Sequence, residues 1–263
     1  MKEKASLFLK FLNLFFYMVY YIIYIKYNYL NLTEDNMLSQ LIRGGFDFYS
    51  IVAQILAVLL IIFLILPFHE WAHAFAASCL GDKGIKYRGR LSLNPLSHID
   101  PVGALCMLLF GFGWAKPVPV DARYFKNPKV GMAITAIAGP LANIVAALAG
   151  LIILKCVLFF ATGFFITELG GYVSIFLSYY ISLNVGLAVF NLIPIPPLDG
   201  SKVLFVFLPN KAVEFFYRYQ QIMYIALFAL LWVGLLDGVL NFASNQIYSG
   251  LDWLSSLPFK LFA

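Results

Sequence analysis

Long uncharged runs alternate with short charged stretches along this chain. The runs cover residues 48–68, 130–154, 169–198 and 219–236. Each is near or above the roughly 18–20 residues that carry a helix across a hydrocarbon core. A shorter uncharged run, 11–25, is rich in Tyr and Phe and lies between Lys10 and Lys26. Flanking apolar residues can extend it, and no small-residue cleavage site follows, so it predicts an uncleaved spanning helix rather than a signal peptide. None of the runs alternates apolar and polar residues over about ten positions, which excludes a transmembrane barrel.

The second run predicts a helix that continues to residue 80. From 48 to 80 is 33 residues, about 50 Å at 1.5 Å per residue. The run at 130–154 is dense in small residues, among them Ala133, Ala136, Gly139, Ala142, Ala146, Ala147 and Gly150. Such residues let helix backbones approach closely. Between these two helices lies a 15-residue uncharged stretch, 101–115, followed by Lys116-Pro117-Val118-Pro119-Val120-Asp121. Its Gly-Phe-Gly-Trp and Pro-Val-Pro text disfavours a continuous helix. It reads as a re-entrant or β-hairpin element lining a cavity. The fold class is thus an all-α polytopic membrane protein with about five to six transmembrane helices. Residues 1–45 are expected to form an N-terminal extension with an extra span, 46–241 a membrane core, and 242–263 a tail that lies partly along the interface.

Composition agrees. Hydrophobic residues make up 62% of the chain and charged residues 12%. A soluble domain is about one quarter charged, so a cytosolic enzyme is excluded. The net charge of +5 calls for no nucleic acid, because its basic residues cluster in loops. With the N-terminus in the cytoplasm, segments 1–10, 81–100, 116–129 and 199–218 fall inside and hold 14 of the 18 Lys and Arg. That is the asymmetry expected of cytoplasmic loops. The three cysteines (Cys79, Cys106, Cys156) are too scattered for a disulfide framework and read as small core residues.

An ionisable residue inside a span is a functional-site hypothesis by default. His69 and His73 lie four residues apart with Glu70 between them. On a helix they share a face and can reach one zinc ion. Glu70, rotated by about 100°, can stand beside that ion and take a proton from water. A catalytic zinc wants a third protein ligand and an open position. Asp199 is the leading candidate, at the end of Asn191-Leu192-Ile193-Pro194-Ile195-Pro196-Pro197-Leu198-Asp199-Gly200. There, prolines break a helix and can leave a carboxylate pointing inward. Asp100 and His98 are runners-up, although His98 also reads as a loop histidine bonded to backbone. Trp114 and Lys116 read as an interface anchor and a cytoplasmic marker. Asn143, one turn after Gly139 and Pro140, offers an amide either as a donor to substrate or as interhelical glue.

These residues resemble the site-2 protease family of intramembrane zinc metalloproteases, the M50 peptidases. The resemblance rests on His69-Glu70-Trp71-Ala72-His73, on Gly139-Pro140-Leu141-Ala142-Asn143 and on the Asn191 to Gly200 stretch. Gly89 to Pro101 and Gly113 to Val120 resemble its compact prokaryotic branch without a PDZ domain. The resemblance implies that His69, His73 and Asp199 hold one Zn2+ per chain. It also implies Glu70 as catalytic general base and Asn143 as a catalytic residue holding substrate or the developing oxyanion. It implies hydrolysis of peptide bonds in or near transmembrane segments, in a prokaryotic inner membrane with the site opening to the cytoplasm. The expected partners are transmembrane protein substrates and the lipid bilayer. The alternatives are a metal-binding membrane transporter, which would repeat its ligands along a path, and an inactive membrane-protein binder, which would not need Glu70.

Overall fold

The structure, a computed structural model, describes residue 56 and residues 59–110, 115–161 and 163–260. The expected N-terminal span at 11–25 lies outside the described residues, as does Trp114. Among the described residues there is no strand, and helices form the whole scaffold. The first is α1, Leu66–Cys79, preceded by a π-helical turn at Ile61–Ile65. A short helix α2, Gly84–Tyr87, leads to α3, Pro101–Phe110. The long α4, Pro128–Phe160, and α5, Glu168–Asn191, follow. Then come α6, Asp199–Leu204, α7, Asn210–Arg218, α8, Gln220–Trp232, and α9, Asp237–Lys260.

Among the described residues, two helical stretches are long and apolar enough to cross a membrane, Ile61–Cys79 and Pro128–Phe160. A shorter apolar stretch, Phe176–Asn191, forms most of α5. α4 shows how the sequence sorts its two sides. Its small residues, including Ala133, Ala136, Gly139, Ala146, Ala147 and Gly150, are buried. Ile134, Leu141, Val145 and Ile153 are exposed. That is the arrangement of a helix that packs through its small face and offers branched side chains to an apolar medium. A β-carbon on Gly150 would lie 2.9 Å from Ile181 on α5, so glycine there sets the α4–α5 approach. Ala147 and Leu151 pack with Ile181, Val185 and Val189 of α5 and Leu251 of α9. Lys155, inside α4, donates to Asp252 and Ser256 of α9 and ties the last helix to the bundle.

The stretch between α1 and α4 is part helix and part extended chain. Asp100 Oδ1 accepts from the N–H groups of Val102 and Gly103, and Pro101 starts α3 where no N–H is needed. The expected hairpin is not formed by strands among the described residues: one isolated antiparallel bridge joins Ile99 and Ala115, and residues 116–121 form no regular element. This run is held at both ends. The Lys116 N–H donates to the His98 carbonyl at 2.7 Å. The Asp121 N–H donates at 2.9 Å to Asp82, a fully buried carboxylate that also takes two hydrogen bonds from Arg88. Cys79, expected in the core, is exposed at the end of α1.

Candidate metal centre

The centre forms where α1 crosses α4 and where the loop after α5 returns. His69, Glu70 and His73 are all buried on α1. Asp199, also buried, opens α6. Gly200 follows it at a point where a β-carbon would strike the carbonyls of Leu192 and Ile193. The loop that delivers Asp199 is packed from beneath by Phe190, Leu198 and Leu227, with Ile193 and Ile195 against them.

Three ligand atoms converge. The Nε2 atoms of His69 and His73 are 3.0 Å apart. Asp199 Oδ2 is 3.4 Å from the first and 3.1 Å from the second. Tetrahedral ligands about 2.0–2.1 Å from a zinc ion lie about 3.3 Å from one another. The triangle therefore has the edge lengths of one face of a zinc tetrahedron, so the three groups could hold such an ion. His69, His73 and Asp199 form the one such group among the described residues.

Each ligand has its own support. The Nδ1 of His73 lies 2.7 Å from the carbonyl oxygen of Thr135. A carbonyl only accepts, so the proton is on Nδ1 and the Nε2 lone pair faces the other ligands. The Nδ1 of His69 lies 3.1 Å from the amide of Asn143. Asp199 turns its second oxygen to Lys202, whose Nζ donates at 3.0 Å. The Lys202 ammonium, and a divalent cation if one is held by the three groups, would both favour the ionised carboxylate.

Thr135, Gly139 and Asn143 are spaced by four residues and form one stripe along α4. Thr135 meets His73 and Asn143 meets His69, so α4 runs antiparallel to α1 at this crossing. Gly139 sits between them. A β-carbon there would lie 2.6 Å from His69 Cε1 and closer still to His73. Pro140 cannot donate to the carbonyl of Ala136, which interrupts the helical ladder in this turn.

Glu70 points elsewhere. Its Oε2 accepts the Val118 N–H at 3.2 Å. Pro117 and Pro119 carry no N–H, so Val118 is the single backbone donor of the Pro-Val-Pro run, and it goes to the carboxylate. The runner-up ligands lie apart from the metal group. His98 Nε2 donates to the Ser92 carbonyl at 2.8 Å, and Asp100 caps α3. The sequence reading missed Thr135, Lys202 and Val118. The spacing of Thr135 from Gly139 and Asn143 was visible but could not be paired with the histidines without the crossing.

Residues 57–234 match the model of peptidase family M50. The chain belongs to this family, that of the site-2 proteases. Over 148 residues it is 43% identical to the candidate zinc metalloprotease YwhC of Bacillus subtilis, covering 55% of this chain and 67% of that protein. Over 144 residues it is 34% identical to the candidate zinc metalloprotease Rip2 of Mycolicibacterium smegmatis, covering 52% of this chain and 51% of that protein. The chain thus spans between half and two thirds of the length of these relatives. No solved structure matches. The M50 match embraces both histidines, Glu70, Asn143 and Asp199.

Proposed function

We propose that the protein is an intramembrane zinc metalloendopeptidase that hydrolyses peptide bonds in or near the transmembrane segments of membrane proteins. In this reading His69, His73 and Asp199 hold one zinc ion, Glu70 is the general base and Asn143 belongs to the site. The observation that carries it is the triangle of two imidazole nitrogens and one carboxylate oxygen at zinc-ligand spacing, with an acid beside it that is not a ligand. Two imidazoles and a carboxylate are a donor set suited to zinc. Zinc, when bound there, supplies Lewis acidity toward water and the scissile carbonyl.

The chain's own residues do the rest. Glu70 accepts a proton from the attacking water and returns it to the leaving amine. The Val118 N–H fixes one carboxylate oxygen and leaves Oε1 for that transfer. The run at 116–121 lies beside the base, its own N–H groups already bonded to His98, Glu70, Val118 and Asp82. The relatives named as zinc metalloproteases support the chemistry, and the apolar exposed face of α4 supports a lipid setting. The charge asymmetry supports a cytoplasmic opening in a prokaryotic inner membrane. A transporter is less well supported, because the described residues carry one ligand group rather than a path of them. An inactive binder is less well supported, because Glu70 is present and free at one oxygen.

Glu70→Gln provides the test. Purified in detergent, both forms should contain about one zinc per chain. Membranes expressing wild type should yield fragments of single-span proteins that membranes expressing the variant lack. Equal cleavage by the two, or absence of zinc from wild type, overturns the proposal.

A further inference from the structure

Asn143 is fully buried on α4, with its Nδ2 3.1 Å from His69 Nδ1. Its Oδ1 is buried and has no hydrogen-bond partner among the described residues. This arrangement conflicts with metal binding. If Nδ2 donates to Nδ1, the neutral imidazole must carry its own proton on Nε2. That nitrogen lies 3.0 Å from His73 Nε2 and 3.4 Å from Asp199 Oδ2, where the metal needs a lone pair. A half-turn of the amide exchanges its oxygen and nitrogen at almost no change in shape. Oδ1 then accepts from His69 Nδ1–H, and the Nε2 lone pair is freed toward the metal. The NH₂ group takes the position that has no partner, as a buried donor.

We propose, resting on the zinc-site reading above, that Asn143 is a positioning residue for the metal. Its amide oxygen accepts the Nδ1 proton of His69 and so fixes the tautomer and ring angle of that ligand. The Thr135 carbonyl does the same for His73 from the same face of α4. One helix thus presents two oxygen acceptors, eight residues apart, to two imidazoles four residues apart on its neighbour. Gly139 keeps the space between them open. The two histidines are held alike, one by backbone and one by a side chain, so only the Asn143 half can be altered by ordinary substitution.

The test uses the full chain in detergent and zinc alone as probe, titrated against a competing chelator, with cobalt(II) absorption as a second readout. Asn143→Leu removes the acceptor and should weaken zinc binding by roughly 10–100-fold. Asn143→Asp keeps an acceptor and has no donor, so its zinc affinity should stay within about threefold of wild type and its cobalt spectrum should be tetrahedral and unchanged. Should Asn143→Leu fail to fold, the Asp variant decides alone, and binding tenfold weaker than wild type overturns the inference. Wild-type affinity in Asn143→Leu also overturns it. A residue acting only as a donor to substrate would leave zinc affinity unchanged in both variants while cleavage fell in both. If wild type itself binds no zinc, the metalloprotease reading fails, a result distinct from equal binding by all three forms.

Discussion

The two sides of the metal centre are built by different means. The histidine side is a crossing of two long helices. His69 and His73 are buried and spaced by one turn, and Thr135 and Asn143, two turns apart on α4, each meet one of them. The carboxylate side is a proline-rich loop ending in a six-residue helix. There Asp199 is steadied by Lys202, whose side chain is one third exposed. On the first side a ligand's position is set by helix separation, a property of the whole bundle. On the second it is set by local chain geometry and a partly solvated ion pair. Packed interiors transmit small volume changes, whereas partly exposed pairs contribute little. The histidine side should therefore be the less forgiving.

The largest effect should come from Gly139→Ala. One methyl group between the two imidazoles forces α1 and α4 apart or turns the rings. Overpacking of this kind costs about 1–3 kcal/mol. Zinc affinity should fall by roughly 10–100-fold, measured by chelator competition, with a lower thermal midpoint. Wild-type affinity in this variant would mean that helix separation does not set the ligand geometry. On the other side, Lys202→Met should weaken zinc binding by about tenfold or less, in line with loss of an outer partner. If it proves as damaging as Gly139→Ala, the contrast between the two sides is wrong.

A further test concerns a third support, which belongs to neither side. Val118→Pro deletes the one N–H that the Pro-Val-Pro run offers to Glu70, and Val118→Ala keeps it. Loss of a hydrogen bond to a charged group is worth about 1.5–3 kcal/mol, partly recovered here because Val118 is only half buried. Val118→Pro should lower kcat by about tenfold, with zinc content and KM near wild type, and Val118→Ala should resemble wild type in all three. Equal kcat in the two variants would remove Val118 from the support of the base.

The sequence made the candidate metal ligands legible because each rests on a local regularity. His69, Glu70 and His73 are related by helical pitch alone, and Asp199 is marked by prolines before it and glycine after it. The small face of α4 was legible for the same reason, since Ala and Gly recur on one side of a predictable helix. The stretch between α1 and α4 was less so. Its glycines and prolines signalled broken helix and its apolar text signalled burial. The structure resolves part of it as α3, started by Asp100 and Pro101, and part as the Pro-Val-Pro run that reaches Glu70.

By itself the sequence determined that two imidazoles and an acid share one stretch of apolar helix, that a second carboxylate stands at a broken helix end, and that the chain is too poor in charge for water. Only the tertiary structure decided which oxygen faces which imidazole, that Val118 bonds Glu70, and that His98 and Asp100 serve the backbone rather than the metal. The reason is range. Helical pitch acts over four residues, whereas the contacts from His73 to Thr135 and from His69 to Asn143 join positions 62 and 74 residues apart. Such pairings follow from how whole helices pack, which no short stretch of sequence encodes.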